Sequence, residues 1–421
     1  MDYSSSDDEW DMSEEEDIAM IMALHHNSNK RPKHGGSVLG REKLWRERIE
    51  GHNKLMRHYF VEQPIYPERY FRRRFRMGLG LFRHIAEEVT KYDRFFEQRR
   101  NCAGELGHST IQKVTAALRI MAYGIPADLV DDHLAMGESQ AIKCVKRFAV
   151  AVVRVFGEKY LRSPNAQDTA RLLEYNKNRG FPGMLGSIDC MHWKWKNCPA
   201  AWHGQFRGHK KDSTIILEAV ADHETWFWHA FFGMPGSCND INVLQRSPLF
   251  AKLAAHDTPP VEFQANGRTY HMPYFLADGI YPKWSTFVKP VVAPKGKKES
   301  DFHSAQAAAR KDVERAFGIL QAQFAIVRGP SKFWDQEILW YIMTACIIMH
   351  NTIIENERGH DLDYGFYDLM GRPVRVQRNQ DRVERFLRTY EDMRDEDRHL
   401  ELQKDLMEEW WTWYGKQRAK P

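Results

Sequence analysis

Residues 184–189, MLGSID, form a short apolar run that ends in an acid. Two longer apolar runs follow at 213–221 and 225–234, and the polar residues between them are typical of a hairpin turn. Residues 239–245, after a proline-glycine-serine sequence, have the pattern of a short helix. We therefore expect three antiparallel strands and then a helix.

A further strand is predicted at 274–278, and it also ends in an acid, Asp278. Helical periodicity then covers 304–325 and 335–356, and the first of these helices carries Glu314. Strands followed by helices in this order predict an α/β fold in which a mixed sheet is flanked by helices.

Residues 106–157 predict helices throughout. Ser109 can cap the first helix, residues 124–126 break the chain, and Ser139 begins the last helix. Three tightly joined helices fit a helix-turn-helix, in which basic side chains contact DNA. The basic residues off the apolar stripe of the last helix are Lys143, Lys146 and Arg147. The alternative is an ordinary helical subdomain with a solvated basic face.

The charge is unevenly distributed along the 421 residues. Residues 2–17 hold nine acids and no lysine or arginine, so the rest of the chain carries a formal charge of +13. An acidic leader on a basic body suits a nucleic-acid partner, because cationic side chains release counterions from phosphates. A solvated surface behind a disordered leader is the alternative interpretation.

Composition predicts a soluble protein of a reducing compartment. The chain is 43% hydrophobic with six cysteines, too few for a disulfide framework at this length. No uninterrupted apolar run approaches the roughly 18 residues that a membrane helix needs, so we expect no membrane segment. The basic cluster at 30–33 could act as a nuclear import signal, although such short clusters often arise by chance.

Three acids stand out as candidates for chemistry, namely Asp189, Asp278 and Glu314. An acid at the end of a buried strand is costly unless its desolvation is offset, and a divalent cation does so well. Carboxylates on separate elements suit Mg²⁺ or Mn²⁺ acting on phosphates. Pairing with arginine or capping of a loop is the alternative for each acid. Asp240 opens the short helix, where it could cap the helix or lie near a metal.

Four segments carry a family resemblance. They occur in the order GSIDCMH at 186–192, PGSCNDINVL at 235–244, LADGIYP at 276–282 and VERAFG at 313–318. Together they closely resemble the motifs of DDE transposases of the PIF/Harbinger superfamily, most like the plant Pong-type branch. The resemblance covers roughly residues 100–360, and the 35 residues between Asp278 and Glu314 suit the spacing of that family.

The resemblance implies a ribonuclease-H-like fold, with Asp189 on the first strand of the sheet and Asp278 on the fourth. Asp189, Asp278 and Glu314 would be the catalytic acids and metal ligands, and Asp240 a lower-ranked ligand. Two Mg²⁺ or Mn²⁺ ions would hold the attacking and leaving oxygens of an in-line phosphoryl transfer. Water would cut at the end of a transposable element, and the released 3′-hydroxyl would attack target DNA.

The expected domains follow from these assignments. We predict a disordered acidic leader at 1–40, a helical domain with a helix-turn-helix-like arrangement at 41–160, the ribonuclease-H-like endonuclease domain at 180–356, and a charged helical segment at 357–421. The helical domain at 41–160 would serve DNA binding or assembly.

Partners follow in part from the resemblance. It implies DNA, a Myb-like accessory protein that helps to recognise element ends and reach the nucleus, and a homo-oligomer that cuts two ends together. Six further basic residues are candidates for phosphate contact, with a solvated surface as the alternative: Arg207, Lys210, Lys211, Lys295, Lys297 and Lys298. Trp193, Trp195 and Trp202 could stack on unpaired bases, with core packing as their alternative.

The rival interpretation is a host protein derived from a transposase, which binds DNA or chromatin in the nucleus without cutting. Its expected mark is the loss of a catalytic acid. All four acids stand in their motifs, which favours the enzyme, although such a derived protein can also keep them.

Overall fold

The computed structural model describes residues 44–208, 212–249, 251, 260–358 and 393–418. Contacts divide the chain into two units, Met1–Arg46 and Glu47–Pro421, and the second contains all the helices and strands that the structure describes. The predicted leader lies outside the described residues, as do Lys210 and Lys211. The domain boundaries expected from the sequence stay predictions.

The first part of the second unit is helical. Its helices are α1 Arg48–Tyr59, α2 Glu68–Phe75, α3 Leu79–Tyr92, α4 Thr110–Tyr123, α5 Asp131–Leu134, α6 Glu138–Tyr160 and α7 Ala166–Asn178. The predicted cap is confirmed, because the Ser109 hydroxyl accepts from the backbone N–H of Gln112 and the Gln112 side chain bonds back to Ser109. Gly124 ends α4 at φ +63°, where a Cβ would lie 2.9 Å from a backbone oxygen.

The second part contains two sheets. The strands are β1 Met184–Lys194, β2 Thr214–Ala221, β3 Phe227–Pro235, β4 Phe263–Ala265, β5 Arg268–Tyr270, β6 Tyr274–Leu276 and β7 Phe287–Val288. The main sheet has the order β3-β2-β1-β6-β7, and β4 and β5 form a separate hairpin. Strands β1, β2 and β3 pair antiparallel, whereas β1, β6 and β7 pair in parallel. This mixed sheet confirms the expected ribonuclease-H-like order, with β6 as its fourth strand.

The first strand is longer than predicted. We expected it to end at Asp189, but β1 pairs with β2 from Ser187 through Lys194. The prediction failed because the exposed His192 and Lys194 interrupt the apolar run, although they alternate with the buried Met191 and Trp193 and the ladder with β2 continues. Asp189 therefore lies within the strand and not at its end.

Helices cover both faces of the main sheet. They are α8 His203–Phe206, α9 Asp240–Arg246, α10 Gly296–Gln323, α11 Ala325–Arg328, α12 Gln336–Arg358 and α13 Glu396–Arg418. Helix α10 begins eight residues before the predicted start at 304. It lies against β1, where the Ser187 hydroxyl donates to the Ala309 carbonyl at 3.2 Å.

Among the described helices, α12 is long and apolar enough to cross a membrane, but 78% of its most apolar stretch is buried inside the protein. It therefore has the environment of a core helix. Helix α13 covers the far edge of the main sheet, where Leu402, Leu406 and Trp410 share a core with Tyr274 of β6 and Val288 of β7. The rest of the predicted C-terminal helical segment, before Met393, lies outside the described residues.

Candidate active site

The register of two parallel strands brings two acids together. Ser187 of β1 pairs with Leu276 of β6. Asp189 and Asp278 each follow their paired residue by two positions, and neighbouring strands lie about 4.8 Å apart. Successive side chains alternate between faces, so both acids lie on the same face at the same edge of the sheet. They come from sequence positions 89 residues apart.

Asp189 is held in an environment that opposes its charge. Only 20% of its side chain is exposed, and it accepts the backbone N–H of Cys190 at 2.8 Å. Burial raises the pKa of Asp189 to about 6. The backbone N–H of Cys190 and the guanidinium of Arg310 lower this pKa, whereas the charges of Asp278 and Asp240 raise it. At neutral pH the site therefore holds a destabilised negative charge.

Glu314 is linked to Asp189 by one arginine, Arg310, which contacts both carboxylates. Arg310, one turn earlier on α10, lies 3.1 Å from the Glu314 carboxylate and 3.8 Å from that of Asp189. The side chains of Arg310 and Glu314 are 22% and 43% exposed, respectively. The sequence reasoning missed Arg310, although its i, i+4 spacing from a candidate acid on a predicted helix was a usable signal.

Asp240 lies on the other side of the cluster, at the start of α9. It is not the cap, because the side-chain oxygen of Asn239 accepts the backbone N–H of Asn242 at 2.8 Å. Burial, and then the charge of Asp278, raise the pKa of Asp240, and a hydrogen bond with the side chain of Cys190 opposes them. Asp240 is thus coupled to the same acidic cluster as Asp278.

Two buried residues that sequence reasoning missed border Asp240. Glu218 of β2 is fully buried, bonds to His229 at 3.2 Å through one carboxylate oxygen and leaves the other without a partner. The hydroxyl of Tyr281 lies 3.5 Å from the sulfur of Cys190. A lone acid inside the apolar run 213–221 was the signal for Glu218.

The donor chemistry of this cluster fits a divalent cation. Asp189, Asp240 and Asp278 offer hard carboxylate oxygens, and burial destabilises the charge of two of them. Within the described residues, no three histidine, cysteine, aspartate or glutamate side chains surround one point that could hold a metal. Glu314 is paired with Arg310 at 3.1 Å in this structure.

The predicted DNA contacts have varied surroundings, and all remain predictions. Arg147 is paired with Asp93 at 2.6 Å, and Lys143 lies over the ring of Phe95 at 5.3 Å. Lys298 is paired with Glu408. Three further candidates are exposed, namely Arg207, Lys295 and Lys297, and Lys146 is partly buried.

The tryptophans mostly serve the core. Trp193 and Trp195 are each 2% exposed, and their ring N–H groups donate to the carbonyls of Gly329 and Phe333 at 2.8 Å. Core packing, the more common fate of such tryptophans, is therefore confirmed for these two, and stacking on DNA bases is not open to them. Trp202 is 39% exposed.

A sheet of this order, with an acid within its first strand, a second acid just after its fourth and a third on the following long helix, defines a ribonuclease-H-like protein of the DDE type. The family model described as plant transposon protein matches residues 158–361, and a domain of unknown function matches residues 51–90. This match and the relatives below support a Harbinger-derived DDE transposase family for the chain.

Similar proteins include Protein ALP1-like of Arabidopsis thaliana, which is 25% identical over 60% of this chain and 65% of its own length. The human protein named "Putative nuclease HARBI1" is 23% identical over 58% of this chain and 67% of its own length. The chain thus matches about two thirds of each relative. No solved structure matches it significantly.

Proposed function

We propose that this chain is a metal-dependent DNA endonuclease that cuts at the ends of a transposable element and joins the freed 3′-hydroxyl to target DNA. The observation that carries the proposal is the parallel register that sets Asp189 beside Asp278, together with the raised pKa values of Asp189 and Asp240. An arrangement that concentrates unfavourable negative charge in a partly buried site is typical of a catalytic centre.

Asp189, Asp278 and Glu314 would hold Mg²⁺ or Mn²⁺, with Asp240 as a further ligand. Such ions, when bound, stabilise the charge that develops on phosphate oxygens and lower the pKa of water. Hydrolysis forms a bond from the water oxygen to phosphorus and breaks the bond to the 3′ oxygen, which leaves as a hydroxyl. In joining, that hydroxyl attacks a phosphorus of the target strand and loses its proton, while the bond from this phosphorus to the target's own 3′ oxygen breaks and that oxygen leaves as a hydroxyl.

The chain's own residues prepare the site for this reaction. Asp189 is ionised above about pH 6, so its oxygens are available as donors at neutral pH. Lys289 is partly buried near Asp278; burial and then Lys283 lower the pKa of Lys289, while Asp278 raises it. Arg310 and Lys289 place positive charge next to the acids, where a DNA phosphate would otherwise be repelled.

A second function is favoured by one specific contact. Arg310 contacts two of the three proposed catalytic acids, Asp189 and Glu314, which is an arrangement that a DNA-binding or chromatin-binding protein without nuclease activity could keep. For either function we propose a nuclear location. For the transposase we also propose a Myb-like accessory protein and a homo-oligomer, because two element ends must be cut together.

The proposal is tested by metal withdrawal. We expect the native chain to cut a labelled duplex that carries an element end in Mg²⁺, and to leave 3′-hydroxyl and 5′-phosphate ends. Cleavage should stop in a chelator and return when Mn²⁺ is added in excess. Cleavage that persists at the same rate in the chelator would contradict the metal-dependent site.

Substitution Arg310→Gln is expected to move the acid limb of the cleavage pH profile upward by about one unit. The reason is that the guanidinium lowers the pKa of Asp189, so its loss leaves that carboxyl protonated to a higher pH. Lys311→Gln, which removes the neighbouring exposed charge, is the matched control and should leave the limb at its native position. An unmoved limb in Arg310→Gln would contradict the role of this contact.

A further inference from the structure

A groove outside the acidic site is lined mainly by basic residues. It has a volume of about 640 Å³ and lies between the segment 93–101, α4 and α6. Its cations are Arg94, Arg99, Arg100, Lys113, Lys143 and Arg147. Two acids, Asp93 and Glu97, also line it, so the groove carries an excess of positive charge.

The two acids of the groove already form ion pairs with arginines. Asp93 accepts two bonds from Arg147, at 2.6 and 2.7 Å, and Glu97 lies 3.6 Å from Arg94. Within the described residues, the four remaining cations have no carboxylate partner: Arg99, Arg100, Lys113 and Lys143. Among the described residues, the groove therefore holds four cations outside ion pairs, of which Arg99, Arg100 and Lys143 are exposed.

Lys113 forms the floor of this groove. Its residue is 6% exposed, and its ammonium donates to the carbonyls of Phe95 at 2.7 Å and Glu97 at 2.8 Å. An ammonium has three N–H donors, so one remains for a ligand in the groove. Burial lowers the pKa of Lys113, while the charges of Asp93 and Glu97 raise it, so this ammonium lies among both signs of charge.

The wall of the groove is held in place by its own backbone. Asn101 donates its N–H to the Glu105 carbonyl and Gly107 donates to the Arg99 carbonyl, both at 2.9 Å. The hydroxyl of Thr110, at the start of α4, donates to the Phe96 carbonyl at 2.8 Å. Arg99 and Arg100 thus project from a fixed segment, so little conformational freedom is lost when they bind.

We propose that this groove binds the phosphate backbone of duplex DNA. It is open and its cations are spread over a loop and two helices, which suits a row of phosphates better than a single small anion. The surface differs from a recognition helix, because the face of α6 with Lys143 and Arg147 is turned toward residues 93 and 95. The inference rests on the proposed function, because the duplex bound in the groove would be the DNA that the chain cuts.

The test measures binding of a labelled duplex in a chelator, where no cutting occurs, across a range of NaCl concentrations. The groove variant combines Arg99→Gln, Arg100→Gln and Lys143→Gln, three exposed residues. We expect its slope of log K against log salt to be smaller by about 2.7, and its Kd at 0.1 M salt to rise roughly 100-fold or more. The control combines Lys177→Gln, Arg328→Gln and Lys416→Gln, also exposed and outside the groove, and should bind like the native chain.

A groove variant with native Kd and native slope would overturn the inference. A loss of binding that is confined to one DNA sequence would also overturn it, since removal of a phosphate contact weakens binding to all duplexes alike. If the triple variant fails to fold, Arg99→Gln with Arg100→Gln alone should lower the slope by about 1.8. Failure of the proposed function can be told apart from failure of this inference. If the native chain never cuts DNA but the groove variant binds DNA more weakly as predicted, the proposed function fails and this inference stands.

Discussion

Asp189→Asn is expected to abolish DNA cleavage and to make the protein more stable. Loss of one ligand carboxylate should lower the cleavage rate by about 1,000-fold or more, because several kcal/mol of transition-state stabilisation depend on a fully held metal. The amide keeps the size of the side chain and can still accept the Cys190 N–H, so the fold should be retained.

The gain in stability follows from the raised pKa. The carboxyl of Asp189 has a pKa of about 6 in the folded chain and an ordinary value of 3.8. Between these values the folded state binds more protons than the unfolded state, so the free energy of unfolding falls as pH rises through this window. At pH 7 the charge costs about 3 kcal/mol, and Asp189→Asn should recover most of it, whereas near pH 4 the two proteins should differ little.

Denaturant unfolding in a chelator at pH 7 and pH 4 measures this difference. Asp397→Asn, at an exposed position of α13, is the matched control and should change the free energy of unfolding by less than about 0.5 kcal/mol. An Asp189→Asn protein that is less stable than the native chain at pH 7 would show that the carboxylate is a structural group.

The second large effect is expected from Asn351→Leu, which should lower the free energy of unfolding by about 3–5 kcal/mol. Asn351 of α12 is fully buried. Its amide donates to the carbonyls of Tyr160 at 2.7 Å and Phe227 at 2.8 Å, and its oxygen accepts the N–H of Phe227 at 2.9 Å. Leucine fills the same space but leaves three backbone groups unpaired in the interior.

These bonds matter for the site because they join the end of α6 and the start of β3 through one helix. Asn178→Leu is the control: that side chain is exposed and has one bond of 3.2 Å to Glu174. It should change stability by less than about 0.5 kcal/mol. A loss below about 1 kcal/mol for Asn351→Leu would mean that water or rearranged backbone replaces the three bonds.

The sheet was largely predictable because its strands carry their own signals. The hairpin of β2 and β3 shows as two apolar runs around a polar turn, and it was predicted within two residues at every end. The C-terminal half of β1 was missed, since the exposed His192 and Lys194 alternate with the buried Met191 and Trp193 and so break the continuous apolar run. The hairpin of β4 and β5 was also missed, because strands of three residues carry too little pattern.

The acids of the site were found from their motifs, but their surroundings were not. Neither spacing nor periodicity shows that Arg310 contacts both Asp189 and Glu314, because that contact requires α10 to lie against β1. The same holds for Lys143, which looked like part of an outward basic face but lies against Phe95. Tertiary contacts of this kind depend on the packing of elements that are distant in sequence.

The most direct test of the central claim is an excision assay with the native chain and with Asp278→Ala, supplied with a short element and the candidate Myb-like partner. Asp397→Ala serves as the matched control. We predict excision by the native chain and by Asp397→Ala, and none by Asp278→Ala. Excision by Asp278→Ala at the native level, or DNA binding without excision by any of the three, would contradict the account of a DDE nuclease.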